Sequence, residues 1–367
     1  MESIDFSKCK TNKDVSKLII DRVRSVSVEK LVEDLSVKFV QHESTTKTIY
    51  AALASGENSI LFGPGGFGKS ELVKSIIKYY NIPVIYKVGY PGMTSEELFG
   101  IPNIKKLLEE SKFETAFENS VFSKPGILVL EEIFDADAEI TSSLKDILSE
   151  KGMRESSKFK ESLISSVILV GNKSPEDVSI NDSIKAFFLE RFPFRKEVIW
   201  SSFNMENYLE YFTVFFDSDV FNKNKDVLEL LAKICCNSDS LVSPRLASKA
   251  ANTVIQLGLD FLPTINGIDS QLISDSIADF NIKSNIKKEK LFLEDMMSKI
   301  KSIDNSGFNS TRKFLMMMCF EENFMFDSQV SDHNIIKMSE LSNLIKEYKF
   351  KYKSEFENEF IDEISKL

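Results

Sequence analysis

The run Gly63-Pro64-Gly65-Gly66-Phe67-Gly68-Lys69-Ser70 follows the apolar stretch Ser59-Ile60-Leu61-Phe62 and precedes the helical pattern Glu71-Leu72-Val73-Lys74-Ser75-Ile76-Ile77. A strand that feeds a glycine-rich loop and then opens a helix is what a phosphate cradle requires, and GxxxxGK[ST] is its sequence form. The glycines let backbone N–H groups converge on phosphate oxygens, and the new helix turns its positive end toward them. Lys69 adds a cation, and the Ser70 hydroxyl is a candidate Mg²⁺ ligand. Gly63 to Ser70, with Glu71 directly behind them, form the candidate phosphate-binding segment.

The chain has 367 residues, which suggests about two to three domains, and its 43% hydrophobic content supplies buried cores for them. No uninterrupted apolar stretch approaches the ~18 residues of a membrane span. The opening Met1-Glu2-Ser3-Ile4-Asp5 lacks the pattern of a signal peptide, so the expected location is cytoplasmic. Cys9, Cys235, Cys236 and Cys319 show no metal-site spacing, and His42 and His333 are the two histidines. Zinc and histidine-triad chemistry are therefore disfavoured. A formal net charge of −10 argues against general duplex-DNA binding, which rests on cationic neutralisation of phosphates.

From Asp14 to Gln41 apolar residues recur at mostly helical spacing, and Thr48–Ala54 reads as a helix ending at Gly56. Pro83–Val88 reads as a strand, and Thr94 with Glu97 as a capping box opening a short helix closed by Gly100. Gly126–Leu130 and Ser166–Val170 are short, apolar and uncharged, as buried parallel strands are. The alternation through about Trp200 predicts an α/β doubly wound parallel sheet. Met205–Phe216, Lys225–Cys236, Ser243–Leu259 and Asp269–Phe280 then predict a smaller all-α domain, followed by further helical patterns from Lys287 to Leu367. The expected boundaries are an N-terminal helical segment over 1–40, the α/β core over 41–200, the α-helical domain over 201–285 and a helical extension over 286–367.

Strand Ile127-Leu128-Val129-Leu130 ends in Glu131-Glu132. Phosphoanhydride hydrolysis needs one carboxylate near the metal and another to orient the attacking water, roles assigned here to Glu131 and Glu132. The next apolar strand ends in Gly171-Asn172, which puts a neutral amide where it could position that water. Arg191 ends Phe187-Phe188-Leu189-Glu190-Arg191-Phe192, and Arg245 opens a helix capped by Ser243 with Pro244 in its first turn. A guanidinium fork matches phosphate geometry.

Over about Phe39 to Gly258 this order of elements resembles the AAA+ ATPases, and within them the MoxR-like group. The resemblance rests on GPGGFGKS, GMTSEELFG, LVLEE, LVGN, IKAFFLERF and SPR. It implies ATP and Mg²⁺ as cofactors, with Lys69, Glu132, Asn172 and Arg191 as the catalytic set. In that frame Asn172 is the first sensor, Arg245 the second, and Arg191 an arginine finger acting on a neighbour's nucleotide. A homo-oligomeric ring, usually a hexamer, follows. Residues 151–163 correspond to the family's hairpin before the first sensor, and Gly100–Leu108 to its other inserted loop. His42 falls near the adenine pocket and, as a lone histidine, reads as structural.

One departure stands out. The family has Asp-Glu at the strand end where this chain has Glu131-Glu132, and one more methylene moves the carboxylate by roughly 1.5 Å. Slow hydrolysis with retained binding is one consequence. Arg195 is the reserve finger. The leading expectation is a ring ATPase that remodels or activates a protein partner, in relatives often one with a von Willebrand A domain. The alternatives are a nucleotide-controlled regulatory subunit with weak turnover, and a nucleic-acid motor using basic residues such as Lys105, Lys106, Lys151, Arg154, Lys158 and Lys160, which the acidic balance disfavours.

Overall fold

The computed structural model describes residues 3–101, 108–109, 117–155, 158–177 and 182–281. The helical patterns beyond Lys287, with Cys319 and His333, lie outside the described residues, as do Lys105 and Lys106. The chain divides into two units, Met1–Ile273 and Ser274–Leu367. Of the second, residues 274–281 are described, and they are helical.

Five parallel strands form the sheet of the first unit: β1 (Ser59–Phe62), β2 (Val84–Val88), β3 (Gly126–Glu131), β6 (Ile164–Val170) and β7 (Phe194–Glu197), in the order β2-β3-β6-β1-β7. β3 and β6 read as unbroken apolar runs because both faces are covered: Ile127 to Leu130 and Ile164 to Val170 are all buried. β7 was not legible as a strand. Its Phe-Arg-Lys-Glu alternates half-buried and exposed, as an edge strand does. Between β3 and β6 an antiparallel hairpin, β4 (Gly152–Glu155) with β5 (Lys158–Glu161), stands where the resemblance placed one.

The single long helical pattern of the N-terminal segment is two helices, α1 (Asn12–Arg24) and α2 (Val28–Ser36). Arg24 and Ser25 end the first, and Ser27 caps the second through Lys30 N–H. α1 buries Val15, Ile19 and Val23 and is tied to the sheet by Asn12, whose amide donates to the carbonyls of Ser162 and Ile164. α3 (Glu43–Ser55) ends at Gly56 in the left-handed conformation, and α4 (Lys69–Tyr80) follows the loop after β1. α5 (Glu96–Phe99) starts after Ser95, one residue later than the expected capping box. Glu97 still accepts from Thr94 N–H at 3.2 Å, but no side chain caps the helix. α6 (Ala138–Glu150) and α7 (Asp182–Arg191) complete the α/β part.

After β7 come the helices α8 (Met205–Phe215), α9 (Ser218–Lys223), α10 (Lys225–Asn237) and α11 (Pro244–Leu257). They pack around Tyr208, Phe212, Leu228 and Leu231, all fully buried, and the Tyr208 hydroxyl donates to the Val242 carbonyl at 2.6 Å. We refer to this group as the lid. No helix among the described residues is long and apolar enough to cross a membrane.

Candidate functional site

The strand order places the carboxyl ends of β1, β6 and β3 side by side, and in such sheets ligands bind there. The β1 end carries the glycine-rich loop, the β3 end Glu131-Glu132, and the β6 end Gly171-Asn172. Register aligns them: Val170 is level with Glu131 on one side and Leu61 on the other.

Within the loop, Lys69 Nζ donates to the carbonyls of Gly63 and Pro64 at 2.7 and 2.8 Å and to Asn172 Oδ1 at 3.3 Å. Burial lowers its pKa below the ordinary lysine value; nearby Glu132 opposes this and Arg245 reinforces it. Lys69, Asn172 and Glu132 thus form one cluster, joined a second time by Asn172 N–H donating to Glu132 Oε2 at 3.1 Å. Glu132 has φ +50°, a left-handed conformation that is strained for a side-chain-bearing residue and common at functional turns. Gly89 makes room for it: a Cβ there would stand 2.7 Å from the Glu132 carbonyl. Gly65 lies against Asn172, its ideal Cβ position 3.9 Å from Oδ1.

Glu131 points elsewhere. Its Oε1 is 3.7 Å from Lys74 Nζ and is buried without a hydrogen-bond partner. Lys74 also lies 5.5 Å over the Tyr86 ring, and burial, with Glu131 beside it, pushes the Tyr86 phenol up to about 12. Ser70 precedes Lys74, the partner of Glu131, by one turn on the same face of α4. A buried carboxylate oxygen without a hydrogen-bond partner suits Mg²⁺, which takes a few protein oxygens and completes its shell with water and phosphate. Lys74 is a neighbour that the sequence reading did not single out.

The lid closes the other side. Arg245 N–H donates to the Gly66 carbonyl at 3.3 Å, and Ser243 caps α11 through Leu246 N–H. A side chain at Gly66 would meet Ser243 Oγ at 2.5 Å, and φ there is +90°. Between loop and lid lies a cavity of about 410 Å³, lined by Phe39, His42, Phe67, Trp200, Tyr211 and Arg245 among others. Its volume and its aromatic walls, with Lys38 and Arg245 as cations, suit a nucleotide-sized ligand. Glu71 sits at its rim, where Lys38 Nζ donates to Glu71 Oε1 at 3.1 Å. The Phe67 ring is buried edge-on against Trp200 and Phe203. Trp200, the chain's sole tryptophan, is therefore a built-in fluorescence probe of this cavity.

Arg191 is not part of the cluster. Its carbonyl accepts from Asn58 Nδ2, at the amino end of β1, and its guanidinium pairs loosely with Glu190 at 3.9 Å. Asn58 to Gly63 is five residues of extended chain, roughly 16 Å, so Arg191 is remote from the loop of its own chain. Arg195 pairs with Glu176 at 3.6 Å on β7.

His42 is 6% exposed, and its Nε2 lies 2.7 Å from the Phe67 carbonyl. Burial lowers its pKa from 6.5, against the raising effect of the carbonyls of Phe67, Gln41 and Val40. The folded chain therefore resists a proton that the unfolded chain accepts below pH 6.5. Stability falls as pH drops from 6.5 toward the folded pKa. Thermal unfolding between pH 7.5 and 5.5 is expected to show this decline in the native chain and a shallower one in His42→Gln.

Sheet, loop and paired acids define a P-loop α/β domain. Residues 58–192 match the family described as AAA domain, dynein-related subfamily. Over 171 residues, 47% of this chain, the sequence is 26% identical to the uncharacterized protein MJ0079 of Methanocaldococcus jannaschii, and equally to MJ0812 of that organism. These matches span 43% and 44% of the relatives, so the chain covers less than half of their length. Among solved structures, a point mutant of Thermotoga maritima RuvB is similar at 14% identity and a TM-score of 0.40, over 76% of this chain and 77% of that one. The closed state of Hsp104 is similar at 13% identity and 0.41, over 64% and 48%.

Proposed function

We propose that this chain is a MoxR-like AAA+ ATPase that hydrolyses ATP in a homo-oligomeric ring, hexameric by resemblance, to remodel or activate a protein partner. The observation that carries the reading is the cluster of Lys69, Asn172 and Glu132 at three adjacent strand ends, on the same glycine-rich loop whose Gly66, Phe67 and Gly68 line a cavity with Arg245. The loop N–H groups and Lys69 hold the phosphates. Glu132, fixed through Asn172 N–H, takes the proton of the attacking water, and the Asn172 amide bridges toward Lys69. Ser70 and Glu131 are the residues that would hold Mg²⁺, which when bound neutralises charge on the phosphate oxygens. The base belongs in the aromatic cavity. The reading keeps the boundaries expected from the sequence: helical segment 1–40, core 41–200, lid 201–285 and extension 286–367. A partner containing a von Willebrand A domain is part of the reading by resemblance alone.

The remoteness of Arg191 from its own loop supports a finger that serves a neighbouring subunit. Arg191→Ala is expected to keep ATP affinity within about threefold and to lower turnover by about 10³-fold. Titrating native protein with this variant should depress turnover more steeply than simple dilution. Linear dilution would argue against a shared site.

A second reading, a nucleotide-fixed regulatory assembly with slow turnover, draws on the Lys74–Glu131 pairing, which competes for the metal-side carboxylate. Glu131→Asp, which restores the family's residue, separates the two readings: raised turnover favours a working motor, and unchanged negligible turnover favours the switch.

A further inference from the structure

We infer that His42 is a positioning residue for the phosphate cradle, holding the Phe67–Gly68 peptide so that its N–H faces the ligand. The inference rests on the nucleotide reading above. A carbonyl can only accept, so the 2.7 Å contact fixes the proton on Nε2 and makes His42 the donor to Phe67. In a trans peptide the C=O of one residue and the N–H of the next point in opposite directions. Anchoring the Phe67 carbonyl outward on His42 therefore aims Gly68 N–H away from α3 and into the loop. Unanchored, that peptide can turn its carbonyl inward, where it would repel phosphate oxygens.

The site is built for this contact. Gly68 has φ +75°, and a Cβ there would stand 3.4 Å from His42 Nε2. The ring stacks on Phe39, with centroids 5.7 Å apart and planes 17° from parallel. The neighbouring carbonyl, Gly66, is tied from the lid by Arg245 N–H. Two consecutive loop carbonyls are thus held outward from two different parts of the fold, the connection between α2 and α3 and the lid. His42 Nδ1 is buried without a hydrogen-bond partner and closed to solvent, which weighs against direct reading of the base.

The test is calorimetric binding of ATP, ADP and tripolyphosphate to the native chain, His42→Gln and His42→Phe, with thermal unfolding of each. Gln keeps an amide donor at similar reach; Phe keeps the ring and the stack but loses the donor. The clamp predicts about 10-fold weaker binding of all three ligands to His42→Phe, and binding within about threefold of native for His42→Gln. A packing role predicts the reverse order and overturns the inference. Loss confined to ATP and ADP, with tripolyphosphate unaffected, would mean base recognition and also overturns it. If His42→Phe does not fold, His42→Met makes the same comparison. A native chain that binds none of the ligands refutes the nucleotide reading itself, whereas native binding that His42→Phe retains refutes the clamp alone.

Discussion

Lys69→Met is expected to weaken ATP binding by about 100-fold, read as loss of the saturable Trp200 fluorescence response at ligand concentrations that saturate the native chain. Lys69 is 7% exposed, and its ammonium is held by two loop carbonyls within 2.8 Å. With triphosphate bound, that buried charge exchanges carbonyl partners for phosphate oxygens. Hydrogen bonds to charged groups contribute about 1.5–3 kcal/mol each, and one or two of them account for the predicted loss. Methionine keeps the aliphatic bulk, so the fold should persist and the melting temperature of the ligand-free variant should stay near native. Native-like affinity in the variant would place the ligand somewhere other than the loop.

Glu132→Gln is expected to separate binding from chemistry. The amide fills the same volume and can still accept from Asn172 N–H through its oxygen, so the turn at φ +50° should be retained. It cannot take a proton from water. General-base catalysis contributes about 10²–10⁴-fold, and turnover should fall by that amount while ATP affinity stays native or tightens. Equal turnover in the two proteins would remove Glu132 from the mechanism. Glu131, whose Oε1 faces Lys74 at 3.7 Å, would then be the carboxylate to examine.

The part of this site legible in the sequence is the part encoded in contiguous motifs. GPGGFGKS carries its strand, loop and helix together, and β3 and β6 announce themselves because burial on both faces removes every charge from Ile127 to Leu130 and from Val167 to Val170. Alignment of those strand ends then follows from topology. What periodicity could not give is the cavity wall: Phe39, His42, Trp200, Tyr211 and Arg245 are gathered from the connection between α2 and α3, the exit of β7 and two lid helices. Only the family resemblance put Arg245 and His42 near the nucleotide, and Phe39, Trp200 and Tyr211 were explicable locally as core or surface. His42 is the plainest case, since its meaning depends on the Phe67 carbonyl, 25 residues away. β7 was missed because a short edge strand with three charged residues in a row resembles a solvated loop, and the break at Ser25 because apolar spacing continues across it. The position of Arg191 at the amino end of β1 depended on Asn58, which no motif marks.

The most direct measurement is ATP turnover per subunit, with Mg²⁺, as a function of protein concentration. A site completed by the neighbour's Arg191 requires turnover per subunit to rise steeply as subunits assemble and then to plateau, with Arg191→Ala flat throughout. Turnover per subunit that is independent of concentration down to the lowest measurable level, and equal in Arg191→Ala, would contradict the account.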